Sequence, residues 1–135
     1  MLFIEIIIGG LVALAFLYAF HFGKESELKG VLAIGLVAVA LIYVGFALFG
    51  LWAKTANLNW LWLEILGVGI YFLFALLGVK KSMYFLAIGW AAHVLWDVGW
   101  HFGESVAFVP SFYPPVCIGF DLVVAIYIFW RFYDR

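Results

Sequence analysis

Five apolar runs, each about as long as a bilayer core is thick, follow one another with only short polar breaks between them. They cover residues 2–20, 31–52, 60–79, 83–102 and 116–132. A helix needs about 20 residues to cross the hydrocarbon, so each run is long enough to span it. Only 11% of the 135 residues are charged, while 69% are hydrophobic. A soluble domain carries about 25% charge and leaves much of its surface in water. The expected fold is therefore all-α: a polytopic integral membrane protein, one membrane domain over residues 1–135 built as a bundle of five transmembrane helices.

The basic residues set the expected orientation, because Lys and Arg collect on the cytoplasmic side. Five alternating spans put Lys24, Lys29, Lys80, Lys81, Arg131 and Arg135 on one side and Lys54 on the other, six against one of the seven Lys and Arg. The N-terminus is expected outside and the C-terminus in the cytoplasm, in a plasma membrane of bacterial type. The first run does not read as a secretory signal, since it lacks a basic start and carries Glu5. With a net charge of -1 there is no basic field for nucleic acid. Cys117 is the single cysteine, so neither a disulfide framework nor a CxxC pair exists.

Against this background the stretch Trp90-Ala-Ala-His93-Val-Leu-Trp96-Asp97-Val-Gly-Trp100-His101 stands out. His93, Asp97 and His101 are spaced four and four, which places them along one face of a helix. Ionisable groups at membrane depth cost a few kcal/mol or more each and mark functional sites. The alternative role is interhelical hydrogen bonding that glues the bundle. Three ionisable groups on one face exceed what glue requires.

The other carboxylates fall at the same level. Counting inward from the outer surface, Glu5 is three residues from Leu2, Glu64 four from Trp60, Asp121 five from Val116 and Asp97 five from Phe102. All four lie about 5–8 Å deep, with His93 about a turn deeper and His101 about a turn shallower. The reading is a single polar cluster facing the bundle interior. Glu64 and Asp121 are candidate ligands or proton carriers, or protonated acids bonded to a neighbouring helix. Glu5 is expected to reach the interface.

The spacing limits the chemistry. His93 and His101 are about 12 Å apart along a regular helix, too far to share one ion whose ligand atoms lie about 2 Å away. One ion could take His93 with Asp97, or Asp97 with His101. Two ions about 4 Å apart, bridged by Asp97 or Asp121, could use the whole set. The candidate metal ligands are thus His93, Asp97, His101, Asp121 and Glu64, and the catalytic candidates His93, Asp97 and His101. Histidine and carboxylate ligands suit zinc, iron or manganese better than calcium. Metal-free acid–base catalysis by a carboxylate and a histidine in a dry pocket is a second route. No phosphate loop, dinucleotide fingerprint or haem attachment motif is present, and no Ser-His-Asp set is visible, although Ser105 and Ser111 share the outer loop with the end of this helix.

The remaining features have plainer readings. His21 is a solvated flank beside Lys24. Cys117 lies one turn from Asp121 on the same helix face, where a soft metal ligand is possible and a small buried hydrophobe is the commoner role. Trp52, Trp60, Trp62 and Trp100 suit an aromatic belt, while Trp90 and Trp96 lie deeper and pack. Gly99 and Gly103 form a GxxxG pair that allows close helix approach. The loop over 103–115 is expected to cap the site, with Phe108, Phe112 and Tyr113 dipping into the interface.

The C-terminal half, over about residues 84–127, resembles a family of small integral-membrane proteins defined only as a domain of unknown function. The resemblance rests on Gly89-Trp90, His93, Trp96-Asp97, His101 and Gly103, followed by Phe108-Val109-Pro110-Ser111, Cys117 and Asp121. The chain departs from the family pattern near Pro114-Pro115 and Cys117, where the family tends to carry small residues and a second cysteine. The resemblance implies a membrane location and brings no established activity.

The expected function is an intramembrane enzyme, metal-assisted, acting on a membrane lipid or lipophilic small molecule as a hydrolase, isomerase or oxidoreductase. Two other classes compete: a proton-coupled transporter using the cluster as a relay, and a non-catalytic accessory subunit of a larger membrane complex or a homo-oligomer.

Overall fold

The computed structural model describes residues 1–102 and 107–133, and the side chains of all of these except 100–102. It contains five helices: α1 (Leu2–His21), α2 (Glu25–Trp52), α3 (Leu58–Lys80), α4 (Met83–Phe102) and α5 (Tyr113–Phe132). Among the described residues, four of them (α1, α2, α3 and α5) are long and apolar enough to cross a membrane.

The helix ends follow local chemistry. α2 begins at Glu25, ahead of the apolar run at 31, because a polar turn can stay helical outside the hydrocarbon. Glu25 and Glu27 there suit the helix N-terminus, and Lys29 pairs with Glu25 at 3.3 Å. α2 stops in a Schellman arrangement: the Thr55 amide donates to the Gly50 carbonyl at 2.7 Å and the Lys54 amide to that of Leu51 at 3.3 Å. This turn holds Lys54 at φ 60, a region that favours glycine. Asn57 caps α3 by accepting from the Trp60 amide at 3.2 Å. α5 starts at Tyr113, inside the loop expected over 103–115. Pro114 and Pro115 fall in its first turn, where the missing amide protons are not needed.

α4 is the centre of the bundle. It packs between α5 and α3 and touches α2, while α1 lies on the far side of α5 and scarcely meets α2. α1 and α5 run parallel at close range. A side chain at Gly9 would meet the Val116 carbonyl, and one at Gly119 would meet the Ile6 carbonyl. Among the described residues, a side chain at Gly99 would meet nothing within 4 Å. Its partner Gly103 lies outside the described residues.

The bundle is inside-out by the standards of a soluble protein. Ile4, Leu11, Tyr18, Ile34, Leu66, Phe72, Leu95, Ile126 and Trp130 face outward, each more than half of its surface exposed, while Glu64, His93, Asp97 and Asp121 are buried. An apolar exterior over a polar interior is the arrangement lipid selects, because no water there can solvate an outward polar group.

Candidate metal centre

His93 and Asp97 sit one turn apart on the inner face of α4, and Cys117 and Asp121 one turn apart on the facing side of α5. The two carboxylates and the imidazole are fully buried, and the thiol is 5% exposed. His93 Nδ1 lies 2.6 Å from Asp121 Oδ2 and 3.3 Å from Asp97 Oδ2. The Cys117 thiol points at both Asp121 oxygens, at 3.6 and 3.8 Å.

Aromatic groups from α2, α3, the loop before α5 and the start of α5 surround these four. The Tyr43 hydroxyl on α2 donates to Asp97 Oδ1 at 2.7 Å, which turns Oδ2 towards His93. Tyr71 on α3 lies edge-on to the imidazole, ring centroids 4.9 Å apart, and its hydroxyl donates to the Ala92 carbonyl at 3.3 Å. Tyr113, at the start of α5, packs edge-on against Tyr43 at 5.1 Å and donates to the Val39 carbonyl at 3.3 Å. Phe108 is buried against Tyr43, Ala47 and Trp60. Phe108 and Tyr113 thus pack over the site instead of dipping into the interface, while Phe112 is exposed.

Two carboxylates around one imidazole leave a negative charge that the imidazole alone does not offset. In a dry interior an unbalanced charge costs several kcal/mol, so a proton or a cation has to complete the set. The donor atoms fit a cation. One ligand atom from each of His93, Asp97, Cys117 and Asp121 lies within 4.8 Å of all the others. Ligands on a tetrahedral zinc ion lie about 3.3–3.8 Å apart, from metal–ligand lengths of about 2.0–2.3 Å. The thiol-to-carboxylate distance of 3.6 Å already matches. The 2.6 Å between Nδ1 and Oδ2 is a hydrogen-bond length, so an ion there would replace that proton and open the pair by under about 1 Å. A thiolate, an imidazole and two carboxylates suit zinc or iron rather than magnesium or calcium.

The structure brings together three of the five ligands proposed from sequence, His93, Asp97 and Asp121. Glu64 is buried on α3, outside that group of four, with the Trp96 indole beside its carboxyl and over Gly67 one turn on. The His101 side chain lies outside the described residues. Glu5 is half-buried near the start of α1 and does not join the group. Cys117, read from sequence as a small hydrophobe, is the fourth member. The signal for it was present: it shares a helix face with Asp121. Tyr43 and Tyr71 were missed, because a tyrosine in an apolar run looks the same whether it faces lipid or a carboxylate.

A model of one protein family matches residues 4–133, all five helices but for the first two residues of α1. The chain belongs to this family of unknown function, DUF6010. Membership extends well beyond the stretch over 84–127 that carries the sequence resemblance, and takes in α1, α2 and α3. No curated protein and no solved structure matches the chain.

Proposed function

We propose that this chain is an intramembrane enzyme whose five helices all cross the bilayer, N-terminus outside. His93, Asp97, Cys117 and Asp121 hold one zinc, iron or manganese ion in the outer half, and the substrate is a lipid or a lipophilic small molecule. The observation that carries this reading is the convergence of four buried ligand atoms within 4.8 Å inside an apolar-faced bundle. Such an ion, when bound, polarises a carbonyl or phosphoryl oxygen or activates water.

Two further atoms favour catalysis over a purely structural centre. Among the described residues, His93 Nε2 and Glu64 Oε1 are both buried with no hydrogen-bond partner. A bundle glued by polar groups would satisfy its own atoms. With Nδ1 turned to the ion, the imidazole proton stands on Nε2 as a donor, and Glu64 on the neighbouring helix offers an acceptor. Both are available to a polar group of the substrate. A carrier is less well supported, because among the described residues an apolar layer separates the cluster from the polar groups at the other end of the bundle. Leu36, Leu86, Trp90, Val124 and Ile128, all buried, form an apolar layer on the far side of the cluster.

The test is to incubate purified protein, in vesicles of native membrane lipid, and follow the lipid extract by mass spectrometry. Wild type is expected to convert one lipid class. Glu64→Gln is expected to lose that conversion and keep its metal, while His93→Ala loses both. Metal-loaded wild type that changes no extractable species would contradict the enzyme and leave a structural metal centre.

A further inference from the structure

A second polar cluster lies at the other end of the bundle, where α1 and α5 finish side by side. His21 Nδ1 is 2.8 Å from the Tyr127 hydroxyl and 2.9 Å from Arg131 Nη1. Nη1 also donates to that hydroxyl at 3.2 Å, and the guanidinium carbon stands 6.0 Å from the Tyr127 ring centroid. Arginine only donates, so Nδ1 of His21 presents a lone pair. Through that lone pair the imidazole positions Arg131.

This contact leaves Arg131 incompletely answered. Among the described residues no carboxylate stands in ion-pair range of it, and its Nε is buried with no hydrogen-bond partner. A role in tying α1 to α5, or in meeting the negative end of the α5 dipole, accounts for Nη1 and for the sign of the charge. It supplies no acceptor to Nε and no counter-charge.

Two members of this cluster, His21 and Tyr127, line one end of an apolar groove of about 390 Å³ between α1 and α5, walled by Leu14, Tyr18, Val123, Ile126 and Trp130, with Arg131 held beside them. Leu14 and Ile126 are more than half exposed, so the groove opens on the outer, apolar face. We propose that this is a binding site for one anionic phospholipid, its phosphate on Arg131 and one acyl chain along the groove. A phosphate supplies only acceptors and matches the planar guanidinium fork, and a net negative lipid balances the charge that a zwitterionic one does not. The proposal shares with the function above only the membrane setting and does not depend on the metal.

Native mass spectrometry of the detergent-purified full chain, offered equal phosphatidylglycerol and phosphatidylcholine, tests it. Wild type is expected to retain phosphatidylglycerol about fivefold better, the worth of one basic residue at an anionic surface. R131Q is expected to lose that preference and R131K to keep part of it. L14W, which fills the groove from an exposed position, is expected to weaken retention of both lipids without lowering the unfolding temperature. Equal retention of the two lipids by wild type, or an unchanged preference in R131Q, would overturn the proposal. Should R131Q not fold, unchanged lipid retention by L14W would overturn it as well.

Discussion

Asp97 shows how a single side chain is prepared for a ligand. Its Oδ1 is fixed by the Tyr43 hydroxyl, and its Oδ2, buried and without a hydrogen bond, is aimed at the cluster. Groups that orient a metal ligand are typically worth about 10–100-fold in metal affinity. Tyr43→Phe keeps the ring packed against Tyr113 and removes only the hydroxyl. It is expected to weaken zinc binding by at least about tenfold, and to lower stability by about 1 kcal/mol, the usual scale of an interhelical hydrogen bond. Competition with a chromogenic chelator, beside thermal unfolding in micelles, checks both. At this scale sequence was a partial guide. The four-residue spacing of His93 and Asp97, and the common depth of Asp97 and Asp121, were legible because they are properties of one helix and of the bilayer. The choice of Cys117 over Glu64, and the roles of Tyr43 and Tyr71, were not. They depend on how each helix is rotated about its axis, which apolar runs do not encode.

At the scale of elements, α1 meets α5 backbone on backbone at Gly9 and Gly119. Gly119→Leu drives a side chain into the Ile6 carbonyl. It is expected to cost more than about 3 kcal/mol and to separate the two helices, since neither backbone can yield cheaply. Gly69→Leu is the control, because a side chain there meets nothing within 4 Å. Denaturant unfolding in mixed micelles distinguishes them. The turn after α2 argues the opposite sign. Lys54 holds a backbone conformation that glycine adopts freely, so Lys54→Gly is expected to raise stability by about 0.5–1 kcal/mol, read as a higher unfolding midpoint. The five helices themselves were legible as hydropathy. Their ends were not where a polar turn continues a helix, as at Glu25, or where prolines open one, as at Pro114. Composition describes the solvent around a residue better than the backbone through it.

For the whole molecule, the outward apolar surface and the inward polar cluster are the arrangement expected of a bundle whose solvent is lipid. α3 runs antiparallel to α4, with Gly67 against Trp96 and Gly78 against Leu86, so the connection between α2 and α3 lies at the opposite end of the bundle from that between α3 and α4. The single native cysteine is buried, which makes added cysteines clean reporters. Asn57→Cys is expected to react with an impermeant maleimide on intact cells, and Lys81→Cys only after the membrane is opened. The reverse pattern would invert the proposed orientation and move the cluster to the inner half.

The claim that joins these scales is that His93, Asp97, Cys117 and Asp121 form one metal centre. Elemental analysis of detergent-purified protein never exposed to chelator, wild type beside Asp97→Ala, tests it most directly. The account predicts one zinc, iron or manganese ion per wild-type chain and loss of that ion in the variant. Folded wild-type protein without metal, or metal retained undiminished by Asp97→Ala, would contradict it.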